Sequence, residues 1–382
     1  MLQIGIDIRT LMDKHYSGVS EYTFNLVNEL LRLDVDDAYK LYYNSGHNIS
    51  DRLPVFTEKH VQVIGTRYPN KIFNYLLQKL LRYPYIDKVI GGVDIFWSPH
   101  INFLSLSKAP QKFLTIHDLS FLRYPEFFNQ RKNFWHRLIN IKNSVKKFDY
   151  LIAVSQNTKD DIIDLLGVSP EKVSVIYSGI DNSCRPISDP AVLDNVRLKY
   201  GLPEKFILYL GNIEPRKNLI GLIRAYNNLR LLHPELAGVK LVLAGATGWK
   251  IKDIFRELYA SDYQADIKFL GYIDKEDKPA LYSLCSVFAY PSFYEGFGFP
   301  PLEAMACGAP VVTSNISSLP EIVGKAALTV DPYNTNSITE ALSQVLLNKD
   351  LADKLRQEGF RQAKKFSWEN TARQYLDLFQ KI

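Results

Sequence analysis

Short apolar runs alternate with amphipathic helical patterns along most of this 382-residue chain. In the first half the runs predict strands at Leu2–Ile8, Tyr39–Tyr43, Val61–Gly65, Asp94–Ser98, Lys112–Ile116, Tyr150–Val154 and Val173–Tyr177. In the second half they are Phe206–Leu210, VKLVLAGA, IKFLGYI, SVFAYPS, PVVTSN and ALTVDP. Because strands that alternate with helices favour a parallel sheet with helices on both faces, the pattern predicts doubly wound α/β domains.

The length of the chain predicts two domains, since one ordinary core rarely exceeds about 250–300 residues. The segment SGIDNSCRPISDP, residues 178–190, is rich in Gly, Pro, Ser and Asp and lies between a predicted strand and a predicted helix. Such composition is typical of a linker. We therefore predict a first domain over residues 1–180, a linker over 181–200 and a second domain over 201–366.

Composition excludes several classes of protein. The net charge of +5 is too small to indicate nucleic-acid binding by itself, and the chain contains no nucleic-acid motif. The three cysteines, Cys184, Cys285 and Cys307, lack the spacing of metal ligands, which predicts reduced thiols and no metal site. The N-terminal segment does not resemble a signal peptide, and no stretch approaches 18 consecutive apolar residues. These features predict a cytoplasmic protein.

The stretch from Tyr290 to Pro310, YPSFYEGFGFPPLEAMACGAP, predicts a strand, a glycine loop and a helix. Pro300 and Pro301 suit the first turn of that helix, where no amide donor is needed. The loop amides and the helix N-terminus would form an anion site. Glu295 and Glu303 flank it, and carboxylates accept strong hydrogen bonds from hydroxyl groups. A nucleotide sugar combines these features; the alternative is two solvated charges near a helix start.

A second candidate anion site follows the strand Phe206–Leu210. Arg216 and Lys217 lie at the start of a predicted helix, Leu219–Leu232, where the helix dipole disfavours cations unless an anion is bound between them. Arg binds phosphate in bidentate fashion and Lys as a point charge. The alternative interpretation is an exposed basic turn.

The stretch EGFGFPPLEAMACGAPVVTSN resembles the signature of the retaining glycosyltransferases of family 4, which have the GT-B fold: two Rossmann-like domains facing a central cleft. The resemblance implies that Glu295 binds the donor sugar, Glu303 the ribose, and Arg216 with Lys217 the donor diphosphate. It also implies donor contacts from the loop residues Gly296, Phe297, Gly298 and Phe299. In GT-B relatives the last helix crosses back, so residues 367–382 are expected on the first domain.

Two residues of the first half gain an interpretation from the same resemblance. HDLSFLRYPEFF, which begins at His117, is similar to a stretch of bacterial family-4 transferases, several of them mannosyltransferases. In the family this histidine lies at the donor sugar; the alternative is a structural histidine. Gly18 corresponds to a glycine-rich loop over the reaction centre, although Ser17 replaces one of the usual glycines. The alternative for Gly18 is an ordinary turn residue.

The resemblance implies transfer of a hexose, with retention, from a nucleotide sugar to a hydroxyl of a growing, lipid-linked polysaccharide or O-antigen-type glycan. GDP-mannose is the expected donor and a UDP-hexose the alternative. Catalytic roles are expected for His117, Arg216, Lys217 and Glu295, with no cofactor and no metal. Front-face attack, in which the leaving phosphate takes the acceptor proton, is the implied mechanism. Two other classes stay open: a nucleotide-sugar epimerase and a non-catalytic nucleotide-sugar-binding scaffold.

The first half carries a strong local excess of positive charge. Residues 67–147 contain 14 Lys and Arg against 4 Asp and Glu. Two helical stretches in this span, 70–86 and 131–148, place basic residues beside Phe, Tyr, Trp and Leu, the composition of a membrane-surface helix. They indicate peripheral contact with an anionic membrane, at the inner face where a lipid-linked acceptor would lie. The alternative is a solvated helix face with the aromatic rings in the core.

Overall fold

The computed structural model describes residues 1–13, 16–49 and 52–381. The chain forms two compact units. The first contains residues 1–119, 131–179 and 367–382, and the second contains residues 120–130 and 180–366. Within the described ranges, no helix is long and apolar enough to cross a membrane.

Strands and helices alternate along the described chain as the apolar pattern predicts. The strands are β1 (Gln3–Asp7), β2 (Ala38–Asn44), β3 (Val61–Thr66), β4 (Ile95–Ser98), β5 (Gln111–Ile116), β6 (Tyr150–Ala153), β7 (Val173–Val175), β8 (Lys205–Leu210), β9 (Val239–Ala244), β10 (Ile267–Gly271), β11 (Val287–Tyr290), β12 (Val311–Ser314) and β13 (Leu328–Val330). The helices are α1 (Gly18–Leu33), α2 (Ile86–Val89), α3 (Ser120–Arg123), α4 (Gln130–Ile139), α5 (Ile141–Ser144), α6 (Gln156–Leu166), α7 (Pro190–Tyr200), α8 (Leu219–Leu232), α9 (Lys252–Tyr259), α10 (Lys278–Leu284), α11 (Phe299–Ala306), α12 (Leu319–Val323), α13 (Thr335–Leu347), α14 (Lys349–Ala363) and α15 (Trp368–Phe379). A π-helical segment, Ile72–Leu81, precedes α2.

The first unit is built on a seven-stranded parallel sheet, as counted over the described residues. The strand order is β3-β2-β1-β4-β5-β6-β7, so the direction of winding reverses between β1 and β4. Interior strands are buried on both faces, which explains why β4 is buried along its whole length. The reversal matters for function because ligands in open α/β sheets bind beyond the carboxyl ends of strands at such a point.

Helix α1 shows how the sequence pattern becomes packing in this unit. Ser17 caps it by accepting a hydrogen bond from the Ser20 amide, and the predicted apolar side is buried: Tyr22, Leu26, Val27, Leu30 and Leu31. That side packs against α15, where the hydroxyls of Tyr22 and Tyr375 are 2.8 Å apart. The Tyr375 hydroxyl also lies 2.6 Å from Thr115 on β5, so the last helix is tied into the first sheet.

The second unit has a six-stranded parallel sheet in the described chain, with the order β10-β9-β8-β11-β12-β13. Here the winding reverses between β8 and β11, whose register pairs Val287 with Ile207 and Phe288 with Leu208. Both units are thus doubly wound, which confirms the predicted fold class. Helix α7, at residues 190–200, packs on α10 of this unit.

Candidate functional site

The two predicted anion sites lie side by side in the second unit. The loop carrying Arg216 and Lys217 follows β8, and the loop carrying Glu295 follows β11. These two strands are neighbours at the reversal of strand order, so both loops leave the sheet at the same edge. This is the position where open α/β sheets bind ligands.

The loop after β11 is held in shape by hydroxyl groups and one glycine. Ser318 Oγ lies 2.9 Å from the Glu295 carbonyl and 2.7 Å from the Phe297 carbonyl, which share its single proton, while Ser317 Oγ accepts from the Glu295 amide at 2.9 Å. Gly298 has φ +117, and a Cβ there would lie 2.8 Å from Leu319 Cδ2. Only glycine suits such a position. Helix α11 then begins at Phe299, with both prolines in its first turn as predicted.

The loop after β8 is equally fixed. Pro215–Lys217 forms a 3₁₀ turn, and Asn218 follows in the left-handed conformation with φ 57. The Asn218 side chain accepts a hydrogen bond from the Gly221 amide (3.2 Å) and donates one to the Pro332 carbonyl (2.7 Å). This cap directs the two preceding side chains, Arg216 and Lys217, away from the helix and toward the neighbouring loop.

Arg216, Lys217, Glu214 and Glu295 form one network of charges, called here the charge network. Lys217 Nζ lies 2.5 Å from Glu295 Oε1, and Arg216 Nη1 lies 3.1 Å from Glu295 Oε2. Arg216 Nη2 pairs with Glu214 at 2.9 Å. Ser292 Oγ donates to Glu295 Oε1 at 2.7 Å. Two cations therefore face two carboxylates, and the charges of the four side chains cancel.

Burial and charge act in opposite directions on the protonation of this network. Burial alone raises the pKa of Glu295, but Arg216, Lys217 and the hydrogen bonds from Lys217 and Ser292 lower it to about 2. Burial and the nearby Arg216 charge lower the pKa of Lys217, while Glu295 opposes them. The Lys217 side chain is only 8% exposed and that of Arg216 15%. Glu295 is therefore ionised at neutral pH, and Arg216 is the more accessible of the two cations.

The other loop and helix residues differ in what they offer a ligand. The Phe297 ring is buried and packs edge-on against Phe366 at 5.8 Å, so only its backbone can face a ligand. Glu303 is half-buried on α11, and its carboxylate accepts a hydrogen bond from the Tyr282 hydroxyl at 2.9 Å. Gly296 lies in the loop before α11, and Phe299 is the first residue of that helix.

His117 lies in the first unit, directly after β5. Its Nε2 is 2.8 Å from the Pro99 carbonyl, and its ring meets the Tyr22 ring edge-on at 4.7 Å. Burial lowers the pKa of His117, with the Pro99 hydrogen bond and the Asp118 charge opposing it. The imidazole is thus neutral at pH 7. Because Nε2 donates to Pro99, Nδ1 is the nitrogen left as an acceptor.

Comparisons with known proteins show the family to which the chain belongs. The chain matches the family models "Glycosyltransferase Family 4" over residues 16–183 and "Glycosyl transferases group 1" over residues 195–362. It is 31% identical to the O-antigen chain mannosyltransferase B of Escherichia coli, over 95% of this chain and 96% of that protein. It is also 34% identical to the serotype-specific mannosyltransferase WbdA of Escherichia coli over 70% of this chain, a match that spans 33% of WbdA.

This chain is a family-4 glycosyltransferase.

Solved structures show the same fold. The sucrose-phosphate synthase of Thermosynechococcus elongatus superposes with a TM-score of 0.75 at 20% identity, covering 100% of this chain and 99% of that one. Anabaena Alr3699/HepE in complex with UDP-glucose gives a TM-score of 0.72 at 18% identity, with full coverage of both chains. The predicted GT-B fold of the transferase is thereby confirmed.

Sequence reasoning missed a buried cluster at the strand reversal of the first unit. Asp7 ends β1, and Arg9 grips it with two hydrogen bonds, Nε to Oδ1 at 2.8 Å and Nη2 to Oδ2 at 2.6 Å. His100 follows β4, and burial lowers its pKa to about 4. In the described chain its buried Nδ1 has no hydrogen-bond partner. Asp7 and His100 each follow a strand at the reversal, and that signal was available in the sequence.

Gly18 shows no structural need for glycine. It is the first residue of α1, it is exposed, and a Cβ built there meets no atom within 4 Å. Its backbone φ is not in the left-handed region. Any requirement for glycine at this position must therefore come from a ligand and not from the fold of the transferase.

Part of the HDLSFLRYPEFF stretch packs on the second unit, which the sequence did not indicate. Residues 120–130 belong to that unit. Trp249 Nε1 donates to the Phe127 carbonyl at 2.6 Å, and the Phe127 ring stacks on Phe293 at 5.7 Å with an interplanar angle of 16°. Tyr124 packs against Tyr294 at 5.7 Å. The segment therefore supports the loop that carries Glu295.

The sequence predicted no metal site. Among the described residues, no group of three or more His, Cys, Asp or Glu is arranged to hold a metal ion. The three thiols are free, and Cys285 and Cys307 are buried.

Proposed function

We propose that this glycosyltransferase moves mannose from GDP-mannose, with retention of configuration, to a hydroxyl of a growing lipid-linked glycan of the O-antigen type. The observation that carries the proposal is the charge network, which lies at the strand reversal of the second unit. Its chemistry suits a nucleotide sugar, and the relative matched over nearly its whole length is an O-antigen chain mannosyltransferase.

The donor diphosphate is proposed to meet Arg216, Lys217, the loop amides of Gly296–Phe299 and the N-terminus of α11. The helix dipole and oriented amides favour an anion there. Because Glu214 and Glu295 already balance the two cations, a diphosphate would share those cations with Glu295. Sugar hydroxyl groups would then donate to Glu295 and replace the hydrogen bonds that it gives up. Glu303, further along α11, is the proposed ligand of the ribose.

In this exchange the sugar itself contributes to the binding free energy of the donor. A nucleoside diphosphate without a sugar would draw the cations from Glu295 and supply no hydroxyl in return. A buried carboxylate left without partners is costly. We therefore expect the intact nucleotide sugar to bind more tightly than the nucleoside diphosphate.

The proposed chemistry needs no metal, because Arg216 and Lys217 can stabilise the charge that develops on the leaving phosphate. Such preorganised donors are commonly worth about 2.7–4 kcal/mol each in the transition state. Glu295 is a poor candidate for a covalent nucleophile, since a carboxylate of pKa about 2 that accepts three hydrogen bonds is weakly basic. Front-face attack, with the leaving phosphate taking the acceptor proton, is the proposed route. His117, neutral with Nδ1 as an acceptor, is proposed to bind a donor-sugar hydroxyl.

A lipid-linked acceptor would bring the enzyme to the inner face of the cytoplasmic membrane. We propose peripheral contact there through the stretches 70–86 and 131–148. The excess of positive charge in residues 67–147 supports this, since the cytoplasmic leaflet carries a negative surface potential.

The first test measures ligand binding by the shift in thermal unfolding with GDP, UDP, ADP, dTDP and GDP-mannose. A ligand at 100 times its Kd stabilises by about 2.7 kcal/mol, which raises Tm by several degrees. We expect selective stabilisation by GDP, a larger shift with GDP-mannose, and a reduced shift in Glu303→Gln. The matched control is Glu340→Gln, an exposed carboxylate on α13.

Transfer of labelled mannose from GDP-mannose to a glycan primer, with the anomeric configuration read by NMR, completes the test. Selective stabilisation by UDP would replace GDP-mannose with a UDP-hexose. A change in sugar stereochemistry without nucleotide release would indicate an epimerase. Stabilisation by a nucleotide sugar without release of the nucleotide would favour a non-catalytic scaffold. Absence of any shift with all five ligands would contradict the proposal.

A further inference from the structure

Exposed apolar side chains are concentrated in one short part of the first unit. Of the 24 large apolar side chains that are exposed in the described chain, nine fall within residues 68–89. They are Tyr68, Ile72, Tyr75, Leu76, Leu80, Leu81, Tyr83, Tyr85 and Val89. Scattered exposed apolar residues are ordinary, but a contiguous group usually marks an interaction surface.

The π-helical segment Ile72–Leu81 that carries most of these residues is firmly anchored on its other side. Phe73 is fully buried in a core cluster with Tyr42, Ile86, Ile90 and Phe96. Gln78 is also buried; its side chain donates to the Pro84 carbonyl at 2.9 Å and accepts from the Ser105 amide at 2.7 Å. Since the inner side is fixed, the segment must present Leu80 and Leu81 to solvent, at 71% and 59% exposure.

The second basic stretch joins the first through one ring. Phe103 lies 5.4 Å from Tyr75 and 6.5 Å from Trp135, and Lys79 Nζ lies over it at 5.6 Å. Beside Trp135, Phe134 is 62% exposed. Two stretches separated by 41 residues in sequence therefore form one surface of the first unit, called here the basic-aromatic face (residues 68–89 and 131–147).

The basic-aromatic face is strongly cationic. Its two stretches contain ten Lys and Arg and a single carboxylate, Asp87. Asp87 is buried and accepts hydrogen bonds from the amide and hydroxyl of Ser107, so it does not offset the charge at the surface. The cations are Lys71, Lys79, Arg82, Lys88, Arg131, Lys132, Arg137, Lys142, Lys146 and Lys147.

We infer that the basic-aromatic face docks on an anionic lipid bilayer, with Leu80, Leu81 and Tyr83 in the interfacial region and the surrounding Lys and Arg at the headgroups. Apolar side chains ringed by cations are what such an interface binds. A second copy of this face would carry the same charge and would be repelled, which argues against self-association through it. The inference deepens the proposed function, since a lipid-linked acceptor would be met at this surface.

The test is co-sedimentation of the full-length protein with vesicles of phosphatidylcholine alone and of phosphatidylcholine with 30% phosphatidylglycerol, a probe composition of about the anionic content of such membranes. We expect binding to the anionic vesicles at least about tenfold tighter than to the neutral ones and weakened by salt. Leu80→Gln with Leu81→Gln should reduce it about tenfold or more. Lys79→Gln with Arg82→Gln should remove most of the preference for anionic lipid.

The second unit offers a matched control for the leucine pair. Leu231 and Leu232 on α8 are 71% and 64% exposed, and the surrounding residues 227–236 contain only one Lys or Arg, Arg230. Leu231→Gln with Leu232→Gln should leave vesicle binding unchanged. Equal loss in both double variants, or no binding to either kind of vesicle, would overturn the inference. So would a leucine variant that changes the oligomeric state but not vesicle binding, because the face would then be an interface between copies.

Two readouts separate this inference from the proposed function. Turnover of GDP-mannose with a water-soluble primer should be unchanged by the Leu80 and Leu81 substitutions, whereas transfer to a primer embedded in anionic vesicles should fall. Vesicle binding without any turnover would leave the docking surface standing and contradict the transferase proposal. If turnover is unaffected by vesicles and by the leucine substitutions, the transferase proposal stands and the docking surface is contradicted.

Discussion

The two units place very different chemistry at the same point of the same topology. In each sheet the winding reverses between two neighbouring strands, β1 with β4 and β8 with β11. The first reversal carries a closed ion pair, Asp7 with Arg9, and His100, whose pKa is lowered by burial. The second carries the charge network, in which Glu295 stays ionised because Arg216 and Lys217 face it.

The difference shows that the fold supplies the position and the loop residues supply the chemistry. The ion pair of the first unit is bidentate and almost fully buried, so it mainly fixes the loop after β1. In the network of the second unit, three donors share Glu295: Lys217 and Ser292 bind Oε1, and Arg216, which is partly accessible, binds Oε2. Such shared contacts can be redistributed when an anion and hydroxyl groups arrive together.

Lys217→Ala should have the largest effect on the charge network of the second unit. It removes a cation from the proposed diphosphate site and leaves Glu295 buried without its shortest contact. We expect transfer to fall by about 10²–10³-fold and the free energy of unfolding to fall by about 3–5 kcal/mol. Steady-state transfer kinetics and urea unfolding measure the two effects.

Lys199 provides the control for this substitution. It pairs with Asp274 and Asp277 in the same unit, but its side chain is 50% exposed. Lys199→Ala should lower the free energy of unfolding far less than Lys217→Ala and leave transfer unchanged, because exposed ion pairs contribute little to stability. Near-normal transfer by Lys217→Ala would remove this residue from the proposed chemistry.

Acid should weaken the first unit before the second. The pKa of His100 falls from an ordinary 6.5 to about 4 in the folded protein, so the folded state binds the proton less well than the unfolded chain. Its contribution is complete above pH 6.5 and is lost as the pH falls toward 4, by about 3 kcal/mol in total. The pKa of Glu295 is lowered from 4.5 to about 2, so the stability that this residue contributes is complete above pH 4.5 and is lost only below that.

Urea unfolding between pH 7 and pH 4 tests this order. His100→Gln removes the share of this residue in the titration and should make the curve less steep between pH 6.5 and pH 4.5, whereas Glu295→Gln should not change its slope in that window. Identical slopes in the wild type and His100→Gln would contradict the expectation. Hydrogen exchange at pH 5 should show the amides of β1 and β4 losing protection before those of β8 and β11.

Substitutions at two glycines should change stability by smaller amounts and in opposite directions. Gly298→Ala should destabilise the second unit by about 1–3 kcal/mol, because its φ is +117 and the new methyl group would lie 2.8 Å from Leu319 Cδ2. Thermal unfolding measures the loss. A variant as stable as the wild type would show that the loop can relax, and the rigid loop geometry proposed for the donor site would have to be abandoned.

Gly18→Ala should stabilise the protein, by less than Gly298→Ala destabilises it. The residue is exposed at the start of α1 and has room for a methyl group, so alanine should stabilise the protein by roughly 0.5 kcal/mol through helix propensity and lower chain entropy. The informative measurement is transfer activity in the stabilised variant. Reduced transfer would show that Gly18 is needed for a substrate; unchanged transfer would make it a simple helix start.

Most elements were predictable because their signal is local. The strands are short apolar runs closed by turn residues, and α1, α8 and α15 follow a helical period that tertiary packing did not need to override. The second-unit site was predictable as a motif, since its glycine loop and prolines are adjacent in sequence. That Glu295 pairs with Arg216 and Lys217 was not, because it depends on β8 and β11 being neighbours.

The rest of the candidate sites depends on long-range packing. Asp7, Arg9 and His100 become a cluster only when the strand order places β4 beside β1. For the aromatic residues of 70–86, composition alone left two interpretations open, a membrane-facing surface and a buried core. Whether Leu80 points inward or outward is decided by Phe73 and Gln78, which take the inner side of the segment. No periodicity in the sequence separates these two outcomes.

The short segment 120–130 has a consequence for how such genes can recombine. The chain passes from the first unit to the second and back around this segment before the main crossing near residue 180. A hybrid joined at residue 180 would inherit Phe127 from one parent and its partners Trp249 and Phe293 from the other. Exchanging the second unit of one transferase for that of another therefore requires carrying these eleven residues with it, although they lie far from the junction in sequence.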